Sequence, residues 1–213
     1  MSKLRLHITM SLDGYVAGPD QSEENPLGVG GTELHEWVFP LKAFQEMHGG
    51  EGGEVNASSA VVEERWANIG ATIMGRNMFG PVRGPWPDES WRGWWGEDPP
   101  YHHPVFVLTH HPREPLEMAG GTTFHFVSEG IESALAQAKD AARGRDVWLA
   151  GGASVINQYL AARLVDEIDV SVAPVILGDG ARLFEGVDRG TFELEQIRAV
   201  DAPGVTHIKY AVS

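Results

Sequence analysis

Apolar positions along the chain recur with a period that switches between two and about 3.6, so short strands are predicted to alternate with amphipathic helices. Lys3 to Met10 alternates polar with apolar side chains and reads as a first strand. Glu33 to Met47 places Leu34, Trp37, Val38, Leu41 and Phe44 at helical spacing, with Pro40 set to limit or kink that helix. A second helix is predicted over Ala57 to Asn68, ahead of a short buried strand at Ala71 to Met74. Strands follow at Val105 to Thr109 and Thr123 to Val127, and then a helix over Ile131 to Ala142. The run from Asp146 is an apolar strand that breaks at Gly151-Gly152 into a helix whose Val155, Ile156, Tyr159, Leu160 and Leu164 share one face. Beyond it, Glu167 to Ala173 is a strand ended by Pro174, and Phe192 to Val200 and Thr206 to Val212 are strands around the turn Ala202-Pro203-Gly204.

Alternating strands and helices argue an α/β fold with a mostly parallel sheet covered on both faces. The last two strands are joined too closely to be parallel, so the sheet is mixed and ends in a hairpin. No internal repeat or linker divides the chain, and residues 1–213 read as one domain.

Composition narrows the function classes. The 213 residues are 42% hydrophobic and 22% charged, ordinary for a folded globular protein. There is no cysteine, which excludes disulfides and thiol catalysis and fits a reducing compartment. No run approaches the roughly 20 apolar residues of a membrane span, and the start reads as a strand rather than a signal peptide. A cytoplasmic protein with no membrane partner is expected. The formal net charge of −14 argues against nucleic-acid binding, which needs clustered Lys and Arg. Any bound anion must find a local exception.

Three strand ends offer one. Backbone amides at Gly151-Gly152, with the helix that follows, can hold a phosphate, although the same pattern also makes a tight turn with no ligand. Ile73-Met74-Gly75-Arg76-Asn77-Met78-Phe79 takes a buried strand out through a glycine to an arginine, a seat for phosphate or a plain surface cation. Val107-Leu108-Thr109-His110-His111-Pro112-Arg113 again puts hydroxyl and cationic groups at a strand end. In an open α/β sheet, ligands gather at the carboxyl ends of parallel strands, so the three point to one crevice. The loop from Pro81 to Pro104 carries Trp86, Trp91, Trp94 and Trp95, which either wall a pocket for a flat ring or fold the loop onto the core. The pairs His102-His103 and His110-His111 flank one strand, too far apart for one metal at about 3.3 Å per residue, and no metal site is expected.

Several segments, taken in order, resemble the dihydrofolate reductase-like superfamily, and specifically proteins similar to the C-terminal reductase domain of the bifunctional riboflavin-biosynthesis deaminase-reductase. They are Thr9-Met10-Ser11-Leu12-Asp13-Gly14-Tyr15-Val16-Ala17, Met74-Gly75-Arg76, Val107-Leu108-Thr109, Ala150-Gly151-Gly152-Ala153-Ser154, and Pro174-Val175-Ile176-Leu177-Gly178-Asp179-Gly180 running to Leu183-Phe184. The resemblance covers nearly the whole chain. It implies a three-layer α/β/α fold, NADPH as cofactor, and hydride transfer to a flat heterocyclic small molecule.

By resemblance, Gly151, Gly152, Ala153, Ser154 and Val155 wrap the pyrophosphate, and Gly75, Arg76, Asn77 and Met78 lie near the adenosine phosphates. Thr109 and His110 lie by the 2′-phosphate and adenine, and Met10, Val16 and Ala17 line the nicotinamide. Trp94, Leu183 and Phe184 are candidate substrate contacts. Asp13 is the candidate catalytic carboxylate, with Glu33 or Glu36 as others, although an Asp before Gly also forms turns. Riboflavin-pathway reductases usually carry a Glu just before the glycine pair, where this chain has Ala150, and the deaminase's zinc-binding cysteines are absent. The alternatives are therefore 5-amino-6-(5-phosphoribosylamino)uracil reduction, or a non-catalytic nucleotide-binding protein of the same fold. Similar proteins are often homodimers, with Glu167 to Ala173 and Phe192 to Val200 as candidate pairing edges.

Overall fold

A computed structural model describes residues 2–80, 84–88 and 90–213. Its main sheet has nine strands among these residues, in the order β10-β11-β8-β1-β7-β3-β4-β6-β5. In chain order they are β1 (Leu4–Ser11), β3 (Ile69–Gly75), β4 (Pro104–Leu108), β5 (Leu116–Glu117), β6 (Thr123–Val127), β7 (Asp146–Gly151), β8 (Glu167–Ala173), β10 (Leu194–Ala202) and β11 (Val205–Val212). The six strands from β8 to β6 are mutually parallel, while β11, β10 and β5 run antiparallel to their neighbours. A two-stranded ribbon of β2 (Tyr15–Ala17) and β9 (Ala181–Arg182) stands apart from this sheet. The mixed, mostly parallel α/β sheet and its terminal hairpin are as the sequence implies.

Period-two alternation in β1 decides what each face of the sheet packs against. Leu4 and Leu6 are fully buried in the main core with Ile73, Val147 and Leu149. That face is covered by α4 (Ile131–Ala141) and α5 (Ala153–Ala161), whose buried Leu135, Ala138, Ile156 and Leu160 complete the cluster. On the opposite face Arg5, His7 and Thr9 are also buried, Arg5 against the end of α2 (Ala57–Trp66). Arg5 donates to the carbonyls of Glu64 and Ala67, Arg65 pairs with Asp169 at 2.5 Å, and His207 bridges Ser58 and Ser171. This face is held by ion pairs and hydrogen bonds, in which the buried Arg5 and Arg65 each face a carboxylate.

Two expectations change. The predicted helix over Glu33 to Met47 is a 3₁₀ turn at Gly31–His35, then non-helical chain, then α1 (Lys42–Met47). Around Pro40, which has no amide to continue a helix, the backbone pairs sideways instead: Glu54 donates to the Pro40 carbonyl and Lys42 to that of Glu54. Glu167–Ala173 offers no edge for dimer pairing, because β8 is paired on both sides, with β1 and β11. The free edge on that side is β10. No helix among the described residues is long and apolar enough to cross a membrane.

Candidate active site

The carboxyl ends of β1, β7, β3, β4 and β6 open into one cleft of about 720 Å³. Its lining includes Gly75, Arg76, Asn77, Met78, Thr109, His110, Gly151, Gly152, Ala153, Ser154 and Val155, so the three strand ends singled out in the sequence do converge. Glycine makes the convergence possible at β3, where a Cβ on Gly75 would sit 2.7 Å from Val155 Cγ2 and 3.6 Å from the Gly152 nitrogen.

Two helices of useful length point their N-termini here. α5 begins after Gly152 and α4 after Gly130, and neither has a side-chain cap. With no capping side chain, amides of both first turns are left for water or a ligand, at the positive end of each dipole. Arg76 lies beside them. Its guanidinium stacks 3.1 Å above the Trp86 ring, and Nη1 donates long hydrogen bonds to the Gly84 carbonyl (3.3 Å) and Thr109 Oγ1 (3.4 Å). Nε and Nη2 are buried with no hydrogen-bond partner among the described residues, and burial together with neighbouring Arg113 presses against the Arg76 charge. Buried, half-paired cationic nitrogens beside uncapped helix ends form a receptor for an anion.

A family model for the RibD C-terminal domain matches residues 2–205. The chain belongs to the RibD C-terminal domain family. Two curated relatives, the uncharacterized proteins YwjB and YyaP of Bacillus subtilis (strain 168), are 35% identical over 66 residues and 41% over 68. Those matches span 31% and 32% of this chain and only 37% and 36% of the relatives' own length. Among solved structures, a candidate riboflavin biosynthesis protein from Shewanella sp. PV-4 superposes with a TM-score of 0.65 at 20% identity, covering 99% of both chains. RibD of Acinetobacter baumannii gives 0.59 at 18%, covering all of this chain and 58% of that one. The riboflavin biosynthesis reductase Rib7 of Saccharomyces cerevisiae gives 0.53 at 13%, covering all of this chain and 89% of that one.

Other expected residues in this RibD C-terminal domain are divided by the structure. Val16, Ala17 and Trp94 line the cleft, whereas Met10 packs against the main core outside the lining. Leu183 is buried in that core, and Phe184 is held at the surface by a hydrogen bond from its amide to Asn157 Oδ1, so neither lines the substrate space expected of it. Asp13 also stands outside the lining. Its carboxylate accepts from Ser11 Oγ (2.5 Å), the Gly178 amide (2.7 Å) and the Leu177 amide (3.2 Å), which hold its pKa below the ordinary carboxylate value. That geometry clamps the loop after β8 rather than presenting an acid to a ligand. Glu33 and Glu36 are exposed and absent from the lining.

The tryptophan loop does both things its sequence allowed, although Pro81, Val82, Arg83 and Glu89 lie outside the described residues. Trp86, Trp91 and Trp95 pack on a second core around Phe79 and Phe124, with Trp91 Nε1 donating to the Phe79 carbonyl. Trp94 and Trp95 line the cleft. Among the described residues, no group of three or more His, Asp or Glu is placed to hold a metal ion.

Sequence reasoning missed two contributors. Ser128, Gly130 and Ile131 line the cleft at the end of β6, a strand running into a helix through glycine just as at Gly152. Gln21, Pro26, Leu27 and His35 form the wall beside β2. His35 is the titratable group of that wall, with its pKa lowered by burial and raised less by the Gly31 carbonyl. Only its position three residues from Gly31-Thr32, in an unrecognised 3₁₀ turn, places it there.

Proposed function

We propose that this domain is an NADPH-dependent reductase acting on a flat heterocyclic small molecule. The observation that carries the reading is the meeting, in a single cleft, of the uncapped N-termini of α4 and α5 and the Arg76 guanidinium, whose Nε and Nη2 have no partner among the described residues. These groups fit a ligand bearing several phosphates. Gly151 to Val155 would hold the pyrophosphate on the α5 amides, Arg76 with Thr109 and His110 would hold the adenosine phosphates, and Val16 and Ala17 would abut the nicotinamide. Three negative phosphates suit the local positive end better than two, which favours NADPH over NADH. When bound, the cofactor supplies two electrons and one proton as hydride, and the second proton of the reduction comes from solvent. The chain's own part is to bind, orient and keep water from the reacting faces.

Titration of intrinsic tryptophan fluorescence with NADPH and NADH tests the binding, with NADPH expected to bind at least tenfold more tightly. Loss of NADPH absorbance against pterins, ribosylaminopyrimidines and quinones tests turnover. Tight NADPH binding with no turnover on any acceptor supports a nucleotide-binding protein instead. We also take the domain to pair as a homodimer along the β10 edge, where Leu194 and Ile197 are exposed. Light scattering that shows a monomer at every concentration removes that part.

A further inference from the structure

The cleft has two chemically different ends. β1 and β4 are separated by β7 and β3 in the sheet, three strand spacings of about 4.8 Å or roughly 14 Å in all. Arg76 and Thr109 mark the β4 end. At the β1 end the lining is Val16, Ala17, Gln21, Leu27 and His35, while Trp95 stacks 5.9 Å from the Phe124 ring of β6. Among the described residues, Arg76 is the only Arg, Lys, Asp or Glu side chain in the entire lining. The described residues therefore give the β1 end apolar walls, an amide and an imidazole, and no formal charge to neutralise a ligand's own.

His35 is arranged to read a neutral ring. Its Nδ1 is buried with no side-chain hydrogen bond, which leaves Nε2 as the nitrogen that a molecule in the cleft can reach. Burial disfavours its protonated form. A neutral imidazole can donate or accept, and Gln21, whose Nε2 donates to the Pro26 carbonyl at 2.9 Å, keeps its Oε1 as an acceptor, which together match the alternating C=O and N–H edge of an uncharged heterocycle. A phosphate brought to this end meets no cation among the described lining residues, and desolvating it unpaired is unfavourable.

Resting on the reductase reading above, we propose that the acceptor is an uncharged planar heterocycle without a phosphate, bound at its polar edge by His35 and Gln21. The test uses two ligands that differ only in the phosphate, 5-amino-6-ribosylaminouracil and 5-amino-6-(5-phosphoribosylamino)uracil, with lumazine as a third neutral ring. Their Kd values are measured calorimetrically on the protein saturated with NADP+. The unphosphorylated ring is expected to bind at least tenfold more tightly than its phosphate. His35→Phe, which keeps a flat ring but no nitrogen, is expected to weaken it at least fivefold, with His35→Gln recovering part of the loss and Gln21→Leu weakening it independently.

NADP+ binding within threefold of wild type in each variant shows that the cleft is folded. Equal or tighter binding of the phosphorylated ring overturns the proposal, as does binding of none of the three rings or indifference to both His35→Phe and Gln21→Leu. If NADP+ itself does not bind the wild-type protein, the failure lies with the reductase reading.

Discussion

Replacing Arg76 with methionine separates what this residue does for the fold from what it does for a ligand. In the ligand-free protein the guanidinium gains a stack on Trp86 at 3.1 Å and two long hydrogen bonds, and it carries two buried nitrogens without partners among the described residues. A cation–π contact contributes about 0.5–2 kcal/mol, while each unsatisfied buried donor costs about 1–3 kcal/mol. The two sides nearly cancel, and methionine keeps the linear stem over the ring. Unfolding free energy is therefore expected to change by no more than about 1 kcal/mol, with the sign toward stabilisation.

Ligand binding is a different matter. Charge-assisted hydrogen bonds to phosphate contribute about 1.5–3 kcal/mol, so the Kd for NADPH is expected to rise about 10- to 150-fold, and the preference over NADH to shrink. Urea titration of the free protein and tryptophan-fluorescence titration with each cofactor measure the two effects. A fall in stability of several kcal/mol with unchanged cofactor preference would refute the reasoning, since Arg76 would then be a structural residue.

Other perturbations probe the scaffold. Gly75→Ala puts a methyl 2.7 Å from Val155 Cγ2 and is expected to destabilise the fold by about 1–3 kcal/mol, partly relieved by Val155→Ala, as chemical denaturation of the single and double variants would show. Asp13→Asn is expected to lower Tm at neutral pH by weakening the clamp on Leu177 and Gly178. Because the folded Asp13 pKa is depressed, the deficit should shrink as pH falls through it, and a pH-independent deficit would contradict the clamp. His207, buried between Ser58 and Ser171, has its pKa lowered from 6.5 to about 4, chiefly by burial. The unfolded chain binds more protons between those values, so stability is expected to drop as pH falls from about 6.5 to about 4. His207→Gln should flatten that slope in urea midpoints, and an unaltered slope would assign the dependence elsewhere.

The anion-binding half of the cleft was legible in the sequence because it is made at strand ends. Glycine after an apolar run, then a cation or hydroxyl, is a local pattern, and the parallel sheet brings such patterns to one edge whatever the rest of the chain does. The acceptor half was not legible for the opposite reason. His35, Gln21 and Leu27 come from a segment with little regular structure, and they reach the cleft beside β1 and β2 only through tertiary packing. Burial was read better than conformation in this part of the chain. Leu34, Trp37 and Leu41 are buried as their spacing required, yet Pro40 and the pairing with Glu54 replace the helix that the same spacing implied. Asp13 shows the limit of residue type as evidence, since a loop clamp and a catalytic acid call for the same carboxylate, and the hydrogen bonds to Leu177 and Gly178 lie far off in sequence.

An acidic chain that hosts an anion must place its cations unevenly, and the two faces of the sheet show how. Lys3, Arg5, Arg65, Arg198 and Lys209 are each paired with carboxylates on the α2 face, where Glu64, Asp146, Glu167 and Asp169 neutralise them. Arg76 has no carboxylate in ion-pair range among the described residues, and the described cleft lining contains none. The net charge of −14 therefore acts on an approaching anion mainly from a distance, where salt screens it, while Arg76 and the two helix ends act at contact. A cation left half-paired in a cleft is unfavourable for the empty protein and favourable for the filled one. A phosphate that completes its hydrogen bonds binds only the folded state, and stability then rises with ligand concentration as RT ln(1 + [L]/Kd).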